Sequence, residues 1–274
     1  MKFFLSILMA SVLLTSCASK LGKVLKSKDN EYKLKMAEQY YAQKKYVEAQ
    51  QVFEDIMPYF RGSDKYEDMF YKYAYCAYNE KDYLNAESLF KTYTENFPNS
   101  TRLEECEYMR CFCYYKQSPK VELDQTATSK TISLMQAFIN THPQSARIKD
   151  ATEIMDLCRA KLELKEYRAA ELYYNLGQFR AAAIAFGVLI NNYPESQKGD
   201  EYKLKAVRSY YRFAKLSVPE KQVERYERVV TEFEDFVDRY PDSKLLKDAE
   251  SYKNLSLNHI KDLKNEQTQT SAKR

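Results

Sequence analysis

This sequence predicts an all-α superhelical solenoid of about five helix pairs with a C-terminal capping helix, and three observations lead there. Helix formers fill a chain of 274 residues that holds only five glycines and seven prolines, and no strand pattern interrupts them. A short signature recurs as Phe97-Pro98-Asn99-Ser100, His142-Pro143-Gln144-Ser145, Tyr193-Pro194-Glu195-Ser196 and Tyr240-Pro241-Asp242-Ser243, with Phe60-Arg61-Gly62-Ser63 as a fifth copy. Its anchors at 61, 98, 143, 194 and 241 are 37, 45, 51 and 47 residues apart, which is helix-pair spacing somewhat lengthened. The residues ahead of each anchor also keep register. Twelve before stand Ala49, Ala86, Thr131, Ala182 and Val229; eight before, Phe53, Phe90, Met135, Phe186 and Phe233; five before, Ile56, Tyr93, Phe138, Leu189 and Phe236. Spacings of four and three give one apolar stripe on the second helix of every pair.

The amino-terminal segment comes first. Met1-Lys2 precedes an apolar stretch, Phe3 to Leu14, too short to span a bilayer, which ends in Leu14-Thr15-Ser16-Cys17. This resembles the cleavage box of bacterial lipoproteins. The resemblance implies a signal peptide over 1–16 and lipidation of Cys17, where two or three acyl chains make a stable membrane anchor; an ordinary secretory signal with an incidental cysteine is the competing reading. Residues 17–30 then read as a lipidated tether. Its Lys20, Lys23, Lys26 and Lys28 can face anionic lipid, but the simpler expectation is a solvated segment.

Five pairs follow, at about 31–63, 64–100, 101–145, 146–196 and 197–243. Within them Lys45-Tyr46-Val47-Glu48-Ala49, Asp82-Tyr83-Leu84-Asn85-Ala86 and Gln178-Phe179-Arg180-Ala181-Ala182 place a turn and an aromatic before the small residue. Proline ends each second helix, and the following Ser or Asn is expected to cap the next one. The pattern resembles the tetratricopeptide repeat, with a capping helix over 244–264 covering the last pair. The tail 265–274 is expected to be disordered.

Composition excludes several functions. The longest apolar run after Cys17, Ala181 to Ile190, is ten residues, far short of a transmembrane helix. A formal net charge of +4 and a mean hydropathy of -0.65 leave no bulk electrostatic case for nucleic acid. Cys76, Cys106, Cys111, Cys113 and Cys158 have no framework spacing, and their pairing is open. Cys111 repeats the small packing position of Ala74. His142 occupies the aromatic slot of the signature and His259 lies in another repeat, so no metal or general-base cluster forms. No phosphate loop or nucleophile elbow is present, and paired acids such as Glu104-Glu105 are assigned to solvated helix faces. Neither an enzyme nor a cofactor is expected.

In tetratricopeptide proteins the first helix of each pair lines the inner surface. Aligning those helices brings Tyr41, Tyr78, Tyr115 and Tyr174 to one position, with Tyr71, Tyr75, Tyr108, Phe112 and Tyr167 in neighbouring slots. A groove for an extended peptide follows, contacted through Tyr41, Tyr71, Tyr75, Tyr78, Tyr108, Phe112 and Tyr115 by stacking and hydrogen bonding. The competing use of the same rings is packing between helices. Leu34 and Glu38 stand where a carboxylate-clamp groove needs lysine and asparagine, so that subtype is excluded.

Arg61-Gly62, Tyr73-Ala74-Tyr75-Cys76, Ser118-Pro119 with Leu123-Asp124-Gln125-Thr126, Phe138-Ile139-Asn140, and Lys221-Gln222 with Glu224-Arg225-Tyr226 narrow the resemblance further. With the lipobox and repeats, they look like the BamD family of outer-membrane assembly lipoproteins in its Bacteroidota form. The Asp-Gln-Thr segment reads as an insertion between the two helices of the third repeat. The resemblance implies a non-catalytic subunit of the β-barrel assembly machine, lipid-anchored in the outer membrane and facing the periplasm. Its implied partners are unfolded outer-membrane proteins at the amino-terminal repeats and the periplasmic domains of the barrel insertase at the carboxy-terminal ones. Arg208, Arg212 and Arg225 are docking candidates there, with helix-face solvation as their alternative use. A scaffold for pilus, secretion or cell-envelope assembly would share anchor and repeats but not the insertion. An outward-facing glycan-binding lipoprotein fits the neutral-to-basic Ala18-Ser19-Lys20 poorly.

Overall fold

The computed structural model describes residues 20–272; the lipobox and Cys17 lie outside them. Twelve helices follow in order among the described residues. A short α1 at 20–25 precedes α2 Asn30–Ala42, α3 Tyr46–Phe60, α4 Tyr66–Asn79, α5 Tyr83–Asn96, α6 Leu103–Gln117, α7 Thr126–Thr141, α8 Ile148–Asn175, α9 Phe179–Asn192, α10 Gly199–Lys215, α11 Pro219–Arg239 and α12 Leu246–Ala272. This is an all-α fold of successive helix pairs. It divides into two compact units, Met1–Cys158 and Arg159–Arg274, with the boundary inside α8.

The apolar register supplies the core. All fifteen register residues are buried, from Ala49, Val229, Phe53, Tyr93 and Leu189 at 0% exposure to Phe233 at 7%. In the first unit they join Ala74, Ala77, Cys106 and Cys113 of the first helices, small side chains that let paired helices approach closely. Thr131, standing where other repeats carry alanine, keeps the position dry by donating its hydroxyl to the Ala127 carbonyl at 2.8 Å. Cys76, Cys106, Cys111 and Cys113 are buried free thiols, and Cys158 is buried as well.

The four repeats whose signature contains proline close the same way. The second helix ends one residue before its aromatic, which leaves the helical region (φ -128°, ψ 60° at Phe97) because the proline behind it disfavours helical backbone, whereas α3, with arginine in place of proline, runs on through Phe60. The signature serine is not the expected cap of the next helix: the N-cap positions of α6 and α10 are Arg102 and Lys198, without a side-chain cap bond, and the serine stands two residues earlier. Ser100, Ser145, Ser196 and Ser243 each accept the N–H two residues on, and each donates to a carboxylate in the preceding first helix: Glu67 at 2.7 Å, Glu104 at 2.5 Å, Glu163 at 2.5 Å and Asp200 at 2.6 Å. Hydrogen bonds from Ser100 and then Tyr93 hold the Glu67 carboxyl below its ordinary range. The paired acids Glu104-Glu105 are therefore engaged, contrary to the solvated faces expected of them. Glu104 takes the Ser145 bond, and Glu105 accepts from the Tyr75 hydroxyl at 2.5 Å.

Both ends differ from the sequence expectation. The tether read over 17–30 contains α1, whose Val24 is fully buried with Leu21 and Leu25 against α2 and α3. The spacing i, i+3, i+4 gives even this short segment an apolar side that covers the first pair. At the other end α12 carries helical backbone to Ala272, through most of the stretch assigned to disorder. Neither glycine nor proline follows Pro241, and extending an existing helix costs far less than nucleating one.

Candidate functional site

In the first unit the spacing i, i+4, i+7 places Tyr71, Tyr75 and Tyr78 on one side of α4 and Tyr108, Phe112 and Tyr115 on one side of α6. Their rings form a continuous ladder. Tyr71 meets Tyr75 at 4.7 Å between centroids, Tyr75 meets Tyr78 at 6.2 Å, and Tyr78 crosses to Phe112 at 6.3 Å. Phe112 stacks on Tyr108 at 5.9 Å and touches Tyr115 at 5.8 Å. These separations lie within the range where aromatic pairs attract beyond simple burial.

The members differ in what they offer a ligand. Tyr71, Tyr75, Tyr78, Phe112 and Tyr115 are partly buried, with an open edge, whereas Tyr108 is 6% exposed and packs on Phe138. Tyr108 is thus mainly core. Tyr41 stands off the ladder, edge-on to Tyr46 at 5.7 Å. That contact recurs as Tyr78 on Tyr83 and Tyr174 on Phe179, so the aligned tyrosines also pin the end of each first helix to the start of its second.

Charged groups border the ladder at regular positions. Arg102 lies over Tyr71 at 4.4 Å and Arg147 over Tyr108 at 4.8 Å, each four residues beyond a signature proline; Lys116 lies over Phe112 at 4.9 Å. Burial pushes the Tyr41 hydroxyl up to about 12 and raises Tyr71 and Tyr75 as well, Tyr75 further through its bond to Glu105. All three stay protonated donors at neutral pH. The sequence reading missed Glu105, Arg102, Arg147 and Lys116. The repeated offset from proline was the available signal for the two arginines, and nothing in the sequence marked Glu105.

In the second unit the three candidate arginines part company. Arg208 and Arg212, both exposed and i, i+4 on α10, lie over Tyr174 at 4.8 Å and Phe179 at 5.2 Å. Arg225 of α11 lies over Phe213 at 4.2 Å and donates to Ser217. It lines a separate groove of about 670 Å³ with Arg180, Ile184, Tyr210, Lys221 and Arg228, on the opposite side of α10.

Two units of helix pairs carrying ring-lined, charge-bordered surfaces define a helical-repeat protein. The chain belongs to the YfiO family of outer membrane lipoproteins, the BamD family expected from the sequence, whose model matches residues 27–226. A comparison with curated proteins found no match. Among solved structures, the chain is similar to one described as "TPR2AB-domain:pHSP90-complex of yeast Sti1", with 14% identity and a TM-score of 0.39 over 83% of this chain and 98% of that one. The fold assignment stands on the helix pairs themselves. No described helix is long and apolar enough to cross a membrane.

Proposed function

We infer that this protein is a non-catalytic, lipid-anchored subunit of the machine that assembles β-barrels in the outer membrane. The family match over 27–226 carries the reading. Anchorage through Cys17 on the periplasmic side agrees with the lipobox, which precedes α1 by only a few residues. In the first unit, the open edges of Tyr71, Tyr75, Tyr78, Phe112 and Tyr115 receive extended segments of unfolded barrel proteins. Rings preorganised by their neighbours bind such segments with little entropy loss. In the second unit, Arg208 and Arg212 on one side and Arg225 on the other are the docking points for the insertase's periplasmic domains. Stacked guanidinium groups are held in place yet keep donors for carboxylates. The work done is positioning, and the anchor raises the effective concentration of partners confined to one surface.

Affinity purification of the intact protein from mild-detergent outer membranes tests this. Stoichiometric recovery of a large barrel protein with periplasmic repeat domains is the expected result. Recovery of pilus, secretion or peptidoglycan-synthesis proteins instead would keep the scaffold and overturn the assignment.

A further inference from the structure

The positive charge of this chain is unevenly placed. Lys20, Lys23, Lys26 and Lys28 fall in a stretch without an acid, and together with Lys2 they exceed the whole formal net charge of +4, leaving the chain from Asp29 onward slightly acidic. Neighbouring lysines are answered by carboxylates: Lys33 by Asp55, Lys65 by Glu31, and Lys72 by Asp68 and Glu38. The four at 20–28 are exposed, and among the described residues none has a carboxylate within ion-pair distance.

Nor do they hang on a loose chain. Val24, at 0% exposure, docks α1 with Leu21 and Leu25 into the core formed by α2 and α3. At about 100° per residue, Lys23 falls on the side away from Leu21, Val24 and Leu25, and Lys20 stands exposed at the first position of α1, at the edge of the apolar side. Lys26 and Lys28 follow in the turn before Asp29, the residue that caps α2 by accepting from the Tyr32 N–H.

We propose that α1 and the turn after it form a fixed basic face that rests on the anionic headgroups of a lipid bilayer. This rests on the lipid-anchor reading above, because the anchor brings the face to the membrane. Lys20 is three residues from Cys17 and Val24 seven. At roughly 3.5 Å per residue, even a fully extended chain keeps them within about 10 Å and 25 Å of the anchored sulfur. The first distance is about one Debye length at physiological salt. Each lysine near an anionic surface strengthens binding about fivefold, so four of them hold the first repeat against the bilayer instead of letting it swing on its anchor.

The test separates lysines from lipid. The mature chain 17–274 carrying Cys17→Ser, which has no acyl groups, is sedimented with vesicles of phosphatidylcholine alone and of phosphatidylcholine mixed with phosphatidylglycerol. Binding to the mixed vesicles only, weakened by added salt, is expected. It should fall by roughly several hundredfold in the Lys20→Gln, Lys23→Gln, Lys26→Gln, Lys28→Gln variant, whose melting curve stays unchanged. The amides of Lys26 and Ser27, bonded to the carbonyls of Gly22 and Val24, should exchange slowly in solution and more slowly on the vesicles. Equal binding to both vesicles, equal binding by the variant, or fast exchange at 26 and 27 in solution would each overturn the proposal. Failure of the anchor reading is seen separately, as a purified protein whose mass includes no lipid. Substrate recognition is read from peptide binding without vesicles.

Discussion

Replacing Tyr75 by phenylalanine removes one oxygen from the middle of the aromatic ladder and separates its two kinds of contact. The hydroxyl joins α4 to α6 through Glu105 at 2.5 Å, while the ring meets Tyr71 at 4.7 Å, Phe90 at 5.2 Å and Tyr78 at 6.2 Å. A hydrogen bond to a charged acceptor contributes about 1.5–3 kcal/mol. Glu105 is partly open to solvent, and water replaces part of the lost bond, so the expected cost is nearer 1 kcal/mol. For a unit of this size that lowers Tm by about 3–5 °C. Because the hydroxyl is already committed to Glu105, the affinity for a peptide from the terminal strand of a barrel protein should change less than about threefold. Tyr78→Ala deletes the ring that bridges Tyr75 to Phe112 and should weaken that affinity about tenfold, or 1.4 kcal/mol. Thermal melts of Tyr75→Phe, Glu105→Gln and the double variant give the coupling energy, and calorimetric titration gives the affinities. Coupling below about 0.3 kcal/mol would refute the interhelix bond. A larger affinity loss from Tyr75→Phe than from Tyr78→Ala would refute stacking as the binding contact.

Other outcomes follow from particular residues. Lys81 holds the left-handed conformation (φ 63°) in the turn between α4 and α5, so Lys81→Gly should stabilise by about 0.5–1 kcal/mol, read as a higher Tm; Gly177, at φ 74° in the corresponding turn, should lose a similar amount as alanine. Lys203, at 4% exposure, lies 2.5 Å from both Glu232 and Asp235, and Lys203→Met should cost about 2–4 kcal/mol in a denaturant titration by leaving the two acids without their shared cation. Burial pushes the thiols of Cys76, Cys106, Cys111 and Cys113 up to about 12, so at pH 8 a thiol reagent should label none of them until denaturant is added. Burial also pushes the Tyr41 and Tyr193 hydroxyls up to about 12. The folded chain therefore holds protons that the unfolded chain releases from the ordinary thiol and phenol ranges upward. Stability should be level near neutrality and fall as pH rises from about 9 to 12, and a Tm that stays flat across that window would contradict the burial of these groups.

Much of the fold was legible because a repeat states its own register several times. The small residue at Ala49, Ala86 and Ala182 and the aromatic at Phe53, Phe90 and Phe186 recur at fixed distances from a proline, and every one is buried. The alignment of first helices likewise brought out Tyr71, Tyr75 and Tyr78 with Phe112 and Tyr115, because i, i+4, i+7 spacing fixes a shared helix side whatever surrounds it. That alignment cannot say how much of each ring a neighbour covers. Tyr108 and Phe112 sit on the same side of one helix, yet Phe138 and Arg147 cover Tyr108 and leave Phe112 with an open edge.

By itself, then, the sequence determined an all-helical repeat chain, its register and its family, since these are written in local periodicity and in motifs that recur within one chain. Only the tertiary structure decided the partners of single polar groups. Glu104 and Glu105 are adjacent acids on a helix, and in sequence they read as solvated. Folding sets Ser145, 41 residues on, and Tyr75, 30 residues back, within hydrogen-bond distance of them. The same holds for Val24, whose burial makes a docked helix of the basic stretch around it: an apolar residue among lysines has no fate until another surface covers it.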